Sequence, residues 1–493
     1  MHVQSDTAIQ QVLDAIKAAQ TPEGAEAYKA TFNQSGSPVT GLTYYDLEAG
    51  AKVLYPVLTP LRNEIPRVSG RGGTQSNWKA VTGINTTGIR IGVSEGNRGG
   101  VISVSTADYN ASYRGIGLES SATFEAEMAA EGFDDVKARA AQSGLQSLMI
   151  QEEFAILGGN GSLQLGTAPT PSVAVSASGG ALAATQFVRV VALTLEAYAN
   201  GSVAGGCAGS ITRTNADGSQ DTFGGGTSQR SAAATATISS GTANSIAATV
   251  APVRGAVAYA WYWGTVSGSE TLGAITTVPA VTITAAAAGT QVSTDHTADN
   301  SVNNLIFDGL LTQAFKSGSN AYYKNMAGSA LTADGAGGIV EIDAALQHFW
   351  DNYRLAPDTL WVSSTEALRM SRLILDGKSN GAFRIVINPE QGGMIGGVMI
   401  ATYLNRFGMA GASQVKIRLH PNMPAGTVLF TTRELPYPLN DVSNVMQIKT
   451  RKEYYQIEWP RVTRKYEYGV YADEVLQHYF PPSLGVITGI GAP

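Results

Sequence analysis

Apolar residues recur along this chain with two different periods, helical and alternating, and each predicts a different element. Ile9, Val12, Leu13 and Ile16 follow the i, i+3, i+4, i+7 spacing of one helical face, and Thr21-Pro22 ends that helix. So short a helix needs a surface to dock on. From Gly41 to Val68 single prolines alternate with apolar residues (Tyr55, Val57, Leu58, Leu61, Ile65), which predicts an extended arm with a helical turn or two. Between 68 and 118 the period drops to two. Trp78, Ala80 and Thr82 alternate outward, and Val101, Ser103 and Ser105 alternate against Ile102 and Val104 on the return. A glycine-rich tip (Gly83, Gly88, Gly92, Gly96, Gly99, Gly100) separates the two runs. This predicts a long two-stranded excursion, which is marginal in water unless it lies on a neighbour.

A long helix is predicted from a cap at Asp134 or Asp135 to Leu157, with a stripe of Val136, Ala140, Leu145, Leu148, Met149 and Ile156. Gly158-Gly159 stop it, and its length is roughly 35 Å. Phe187 to Tyr198 then reads as a strand pair or one bent strand closed by Asn200-Gly201. Ser231–Ile238, Ser245–Val250 and Ala258–Trp263 follow as β-runs at the spacing of a β-sandwich, and the glycine-rich stretch 201–226 reads as a loop. After Asn303 a helix is expected at Glu341–Asn352, a buried strand at Leu360–Val362 and a helix from a Ser364 cap to Leu375. Strands are expected at Phe383–Ile387, Val398–Tyr403 and Val428–Thr432, before an aromatic end at Tyr454, Tyr455, Trp459, Tyr466, Tyr468 and Tyr471.

Composition changes this picture at one place. Residues 170–299 hold ten charged residues and no lysine, the nearest lysines being Lys137 and Lys316. The chain therefore reads as one fold interrupted by another, with residues near 158 and 303 as spatial neighbours. The length of 493 residues predicts two to four domains. Charged residues make up 15%, against roughly 25% in typical globular chains, which fits a surface largely covered by partners or rich in turns.

Charge and chemistry remove several function classes. The net charge of −6 argues against a reader that works by neutralising phosphates, and the clusters Arg67/Arg71 and Arg461/Arg464/Lys465 are small. Cys207 is the single cysteine, so an intramolecular disulfide and a cysteine metal site are excluded. The N-terminus has no signal-like apolar core, and the glycine-broken run Met394–Leu404 is too short for a bilayer, so a soluble protein of a reducing compartment without membrane contact is expected. His2, His296, His348, His420 and His478 form no metal-binding spacing and read as solvated or structural. Neither a Gly-x-Ser-x-Gly elbow nor a phosphate loop occurs. The turn Gly70-Arg-Gly-Gly73 reads as the base of the excursion rather than an anion site.

The adjacent carboxylates Asp134-Asp135, Glu152-Glu153 and Asp473-Glu474 do not share a face. The first pair reads as helix-start charge and the second as a solvated or interface face. Tyr259, Trp261 and Trp263 point one way along their strand and suit a sandwich core, which leaves Tyr262 as the outward candidate for a ligand such as a glycan. No catalytic, cofactor or metal site is expected, and a large fold without chemistry assembles or binds.

Three stretches carry a resemblance: Gln151-Glu-Glu-Phe-Ala-Ile-Leu-Gly-Gly-Asn-Gly161; Phe307-Asp-Gly-Leu310 followed by Gly338-Ile-Val-Glu-Ile-Asp-Ala-Ala-Leu346; and Tyr454-Tyr-Gln-Ile-Glu-Trp459 through Tyr471-Ala-Asp-Glu-Val-Leu476 to Pro481-Pro482. In this order they resemble the major capsid protein of tailed bacteriophages, with its Hong Kong 97-type fold, over about residues 40–165 and 300–490. Residues 185–263 separately resemble a fibronectin type III or immunoglobulin-like module, from Phe187-Val-Arg-Val-Val-Ala and Pro252-Val-Arg-Gly-Ala-Val-Ala-Tyr259. The implied fold is α+β: an N-terminal helix and arm (1–66), an extended β-loop (67–122), part of the P-domain with its spine helix (123–168), an inserted β-sandwich (169–299), a P-domain return (300–340), an A-domain (341–440) and closing strands (441–493).

The resemblance implies a homo-oligomer of pentamers and hexamers in a virion shell, assembled in the host bacterial cytoplasm around phage DNA that is enclosed without sequence-specific binding. It implies portal and scaffold partners, a decoration protein, and an outward insertion touching neighbours or host glycans. Inter-subunit contacts are expected from Trp78, Arg90 and Arg98 on the excursion and from Ile9, Val12, Leu13 and Ile16 on the first helix. Some relatives crosslink a loop lysine to an asparagine of another subunit; Lys79 sits near the loop base rather than its tip, so no crosslink is expected. A nanocompartment shell of the same fold, or a surface glycan-binding adhesin, are the alternative readings.

Overall fold

The computed structural model describes residues 54–84, 91–131, 134–215, 217–376, 387–388, 393–394, 400–408 and 413–492. The chain divides into two units, residues 1–54 with 128–135 and residues 55–127 with 136–493. The described residues of the first unit are few, and all that follows concerns the second. The expected first helix with Ile9, Val12, Leu13 and Ile16, the position Arg90 and most of the expected strand Phe383–Ile387 lie outside the described residues.

The architecture is mixed α+β, with several sheets and few helices. The closing strands Met446–Glu458 and Lys465–His478 pair antiparallel and form the middle of a four-stranded sheet. Arg67–Ser69 joins one edge in parallel and Arg114–Thr123 joins the other antiparallel. The long helix, Val136–Gly158, packs on this sheet. Its predicted stripe is buried only at Leu148 and Ile156, and burial concentrates in the last turns, at Glu152, Glu153, Ala155, Ile156, Leu157 and Gly158. Gly144 lies against Ser120 and Val470, where a Cβ would sit 3.4 Å from Ser120 Oγ.

A six-stranded sheet runs Tyr322–Asn325, Gly485–Thr488, Val428–Thr431, Thr359–Val362, Ser413–Leu419, Thr402–Asn405. Helices Val340–Tyr353 and Ser364–Asp376 contribute Ile342, Leu346, Phe349, Ala367 and Met370 to a core with Leu360, Val362, Val428 and Phe430. The second of these helices is capped one residue earlier than expected. Ser363, not Ser364, accepts the Glu366 N–H through its Oγ at 3.3 Å.

Residues 172–283 form two antiparallel sheets, one of three strands (Ala280–Ile283, Ser245–Thr249, Ser172–Ser176) and one of four (Thr271–Thr276, Ala258–Gly264, Gln186–Leu193, Ala234–Ala236). The strand from Gln186 stops at Leu193, and Leu195–Asn200 is helical, so no second or bent strand continues to Tyr198. Glu196 in the first turn and two alanines favour that helix over the strand. The stretch 201–226 carries the hairpin Ser210–Thr214/Gln220–Gly224 rather than a plain loop.

The two ends of the low-charge stretch meet as expected. Asn303 N donates to Asn160 O at 2.8 Å, Asn160 Nδ2 donates to Ser301 O at 2.7 Å, and Gly309 N donates to Gly159 O at 2.8 Å. Gly159 is glycine because of this approach and not because of a left-handed backbone. A Cβ there would stand 2.6 Å from Phe307 O and 2.9 Å from Ala155 O. Gly159→Ala is expected to cost about 1–3 kcal/mol in a denaturant melt, and an unchanged midpoint would contradict this packing.

Candidate assembly surfaces and a buried charge cluster

The ribbon is Gln75–Ile84 paired antiparallel with Val104–Ser112, and no third strand joins it among the described residues. Its root is anchored by aromatic contacts. Trp78 is half-buried, stacked on Tyr109 at 5.9 Å and edge-on to Tyr479 at 5.7 Å. Gly70 lies against Tyr113 and donates its N–H to Thr450 O at 2.6 Å, and the turn after it uses Gly72 and Gly73 at positive φ. The Gly70–Gly73 segment is thus the ribbon-base turn. Away from the root the apolar residues face out: Val81, Ile84, Ile91, Val101, Ile102 and Val104 are all exposed, Ile91 at 94%. Arg98 is exposed at the tip. Lys79 pairs with Asp108 at 3.4 Å on the open surface, where solvent screens the pair.

Glu152 and Glu153 are both 1% exposed, which corrects the solvated or interface face expected of them. Glu153 caps the short arm helix Pro60–Glu64, accepting Leu61 N–H at 2.9 Å and Arg62 N–H at 2.7 Å. His420 contacts the same carboxylate at 2.6 Å through Nε2, while its Nδ1 accepts Asn422 N–H at 3.1 Å. Since Nδ1 accepts, Nε2 carries the proton and donates to Glu153. Glu152 accepts Arg62 Nε at 3.0 Å and also binds Arg67 and the Tyr454 hydroxyl. Arg67 reaches Glu474 at 3.0 Å, and burial holds the Glu474 carboxyl above its ordinary range. Glu64 in turn binds Arg418 and Arg433.

Arm, long helix, closing hairpin and six-stranded sheet therefore share one ionic network. The carboxylates of Glu64, Glu152 and Glu153 are consumed by structural pairing, while Glu474 uses only Oε2 and its Oε1 has no hydrogen-bond partner among the described residues. The sequence signal for it was two charges set inside an apolar run, Leu148-Met-Ile-Gln-Glu-Glu-Phe-Ala-Ile-Leu157.

Tyr262 does not face outward; it is fully buried. Tyr259, Trp261 and Trp263 point between the two inserted sheets as expected, beside their cross-strand partners Ala192, Val190 and Val188 and in one core with Ile246, Ala248 and Ile283 of the other sheet. The other face of the same strands (Val191, Leu193, Ala258, Ala260, Tyr262) joins the core that holds Ile156, Leu157, Leu310, Leu311 and Phe315. Both faces are covered, so alternation marks no solvent side. The Tyr262 hydroxyl bonds His296 Nε2 at 2.8 Å and donates to Gln291 Oε1 at 2.9 Å, so it has no ligand-facing role.

Burial pushes the His296 pKa down to about 4, so the fold keeps it neutral where an unfolded histidine takes a proton. Its contribution to stability is complete above about pH 6.5 and is lost as pH falls toward 4. By pH 4.5 the loss is on the order of 2–3 kcal/mol. Thermal melts of His296→Gln should show a shallower decline between pH 6.5 and 4.5, and an unchanged slope would refute the assignment.

Among the described residues no group of three or more His, Cys, Asp or Glu side chains could hold a metal ion, and no helix is long and apolar enough to cross a membrane. No family model matches the chain, and no curated protein matches it. Solved structures similar to it include the capsid of a native GTA particle (TM-score 0.44, 9% identity, covering 94% of this chain and 100% of that one). A structure from Mycobacterium phage Bobi gives a TM-score of 0.41 at 10% identity, over 92% of this chain and 96% of that one. The holo-SrpI encapsulin complex from Synechococcus elongatus PCC 7942 gives 0.36 at 7%, over 91% and 97%. All these scores lie below 0.5, and the functional reading rests on the chain's own surfaces and packing.

Proposed function

We propose that this chain is the major capsid protein of a tailed bacteriophage and self-assembles, through pentamers and hexamers, into an icosahedral shell enclosing double-stranded DNA. One observation carries the reading: a two-stranded ribbon that exposes its apolar side chains and has no third strand to lie on among the described residues. Such a ribbon gains stability by lying across another copy. The low charge and the absence of a catalytic motif support a subunit whose surface is mostly interface. A net charge of −6 suits a wall that holds DNA without gripping it.

In this reading residues 1–66 are the helix and arm, 67–122 the extended loop, and 123–168, 300–340 and 441–493 the P-domain and closing strands. Residues 341–440 are the A-domain. Residues 169–299 are an immunoglobulin-like or fibronectin type III-like insertion, a reading supported by the paired sheets, and they lie on the outer surface. Portal, scaffold and decoration proteins complete the partner set, in a virion assembled in the host cytoplasm.

Expression of the full chain followed by electron microscopy and nuclease treatment tests the proposal. Closed particles that protect DNA during infection support it, closed particles packed with protein cargo favour the nanocompartment reading, and a stable monomer overturns both.

A further inference from the structure

A cavity of about 580 Å³ opens at the root of the ribbon, between its strands, the end of the closing hairpin and the turn after helix Leu310–Phe315. That volume suits a small organic ligand. Trp78 and Tyr109, stacked on each other, form an aromatic wall. Two cations and one carboxylate also border it. Lys316 and Asp308 neutralise each other at 2.6 Å, whereas the half-buried Arg114 pairs with no described residue. Glu474 stands opposite Arg114 in strand register but bonds Arg67 instead. The cavity therefore keeps one positive charge without a counter-ion.

Its hydrogen-bonding atoms are unfinished too. Trp78 Nε1 and both ring nitrogens of His478, a residue 4% exposed, have no hydrogen-bond partner among the described residues. Buried polar atoms left unpaired are costly, so a ligand that reaches them gains affinity. Burial pushes the His478 pKa down to about 3, and the neutral ring offers one donor and one acceptor. The edge of a nucleobase carries both kinds of group, and its face stacks on aromatic side chains. A neutral sugar would leave Arg114 unpaired. Inorganic phosphate would leave the aromatic wall and the orphaned nitrogens uncovered.

We propose that this cavity binds a nucleoside monophosphate, with the base face on the Trp78–Tyr109 wall, the base edge toward His478, the ribose oxygens beside Trp78 Nε1 and the phosphate on Arg114. At most roughly 17 Å of extended strand separates Tyr109 from Arg114, a span that an arginine side chain and a nucleotide bridge together. The planar guanidinium fork matches phosphate oxygens two at a time. The site is built within one chain and does not rest on the shell reading. The same chemistry arrives either as a free nucleotide or as the last nucleotide of a nucleic-acid strand.

The test titrates the full chain by calorimetry with adenosine monophosphate, adenosine, inorganic phosphate and a short single-stranded oligonucleotide. Adenosine monophosphate is expected to bind with a Kd below about 1 mM, and about tenfold or more tighter than adenosine or phosphate alone. Arg114→Gln, at a side chain that pairs with no described residue, should weaken the monophosphate about tenfold and leave adenosine unchanged. Tyr109→Leu should weaken both by about fivefold or more, and Lys79→Gln, outside the cavity, neither. An oligonucleotide that binds tighter still, and loses as much to Arg114→Gln, supports the same site and names a nucleic-acid end as its source. Phosphate that binds as well as the nucleotide, a nucleotide that never saturates, or an Arg114→Gln chain that binds it unchanged overturns the proposal and leaves the shell reading standing.

Discussion

Glu152→Ala is expected to destabilise the chain by about 3–5 kcal/mol in a denaturant melt, the largest effect of any single substitution in the ionic network. Its side chain is fully buried, and the guanidinium groups of Arg62 and Arg67 are only 14% and 19% exposed. Removing the carboxylate leaves two adjacent, poorly hydrated cations, of which only Arg67 keeps a carboxylate, Glu474, and it takes away the acceptor of the Tyr454 hydroxyl proton. Both guanidinium groups also stack on the Tyr454 ring, at 5.2 and 4.8 Å, so the like charges cannot separate without losing that contact. Glu458→Ala, on an exposed strand end, serves as the control and should shift stability by no more than about 0.5 kcal/mol. A loss below about 1 kcal/mol for Glu152→Ala would mean that the network is solvated after all.

Replacing residues 172–297 by a short glycine–serine linker is expected to leave the protein insoluble. The low-charge stretch is not a bead on a string. Leu195 presses on Gly158, where a Cβ would stand 2.4 Å from its Cδ2. Arg254 holds the last carbonyls of helix Leu310–Phe315, reaching Phe315 O and Lys316 O, and stacks over Tyr323 at 4.9 Å. Deletion therefore uncovers Leu157, Leu311 and Phe315 together, each worth about 1.5–3 kcal/mol when buried. Leu195→Ala samples the same contact more gently and should cost about 2–5 kcal/mol. Soluble, assembled particles from the deleted chain would contradict the shared core. The same geometry predicts that an isolated 169–299 fragment exposes Leu195 and Arg254, so a glycan-binding experiment on that fragment would sample a surface that the intact chain covers.

Much of the element pattern could be read in the chain, where local period and turn chemistry suffice. The ribbon with its glycine tip, the long helix ending at Gly158, the helices near 341 and 364, and the closing strands lie within a few residues of their expected places. The meeting of residues 160 and 303 was legible too, because an abrupt loss of charge marks where one folding pattern is interrupted by another.

What failed were two judgements about what covers a face, those on Tyr262 and on the pair Glu152 and Glu153. Tyr262 was assigned to solvent by alternation, but alternation says only that two residues lie on opposite faces, not that one of them is wet. Glu152 and Glu153 were assigned to a surface because carboxylates prefer water, yet their partners Arg62, Arg67, Tyr454 and His420 come from segments about 90 to 300 residues away. Local sequence thus determined most of the elements, though not the helix Leu195–Asn200 or the hairpin within 201–226, and it determined the interruption and the two-stranded ribbon, since these follow from spacing and composition. Tertiary structure alone decided which charges are buried and that the interrupting stretch shares the core of its host, because burial is set by contacts between distant segments.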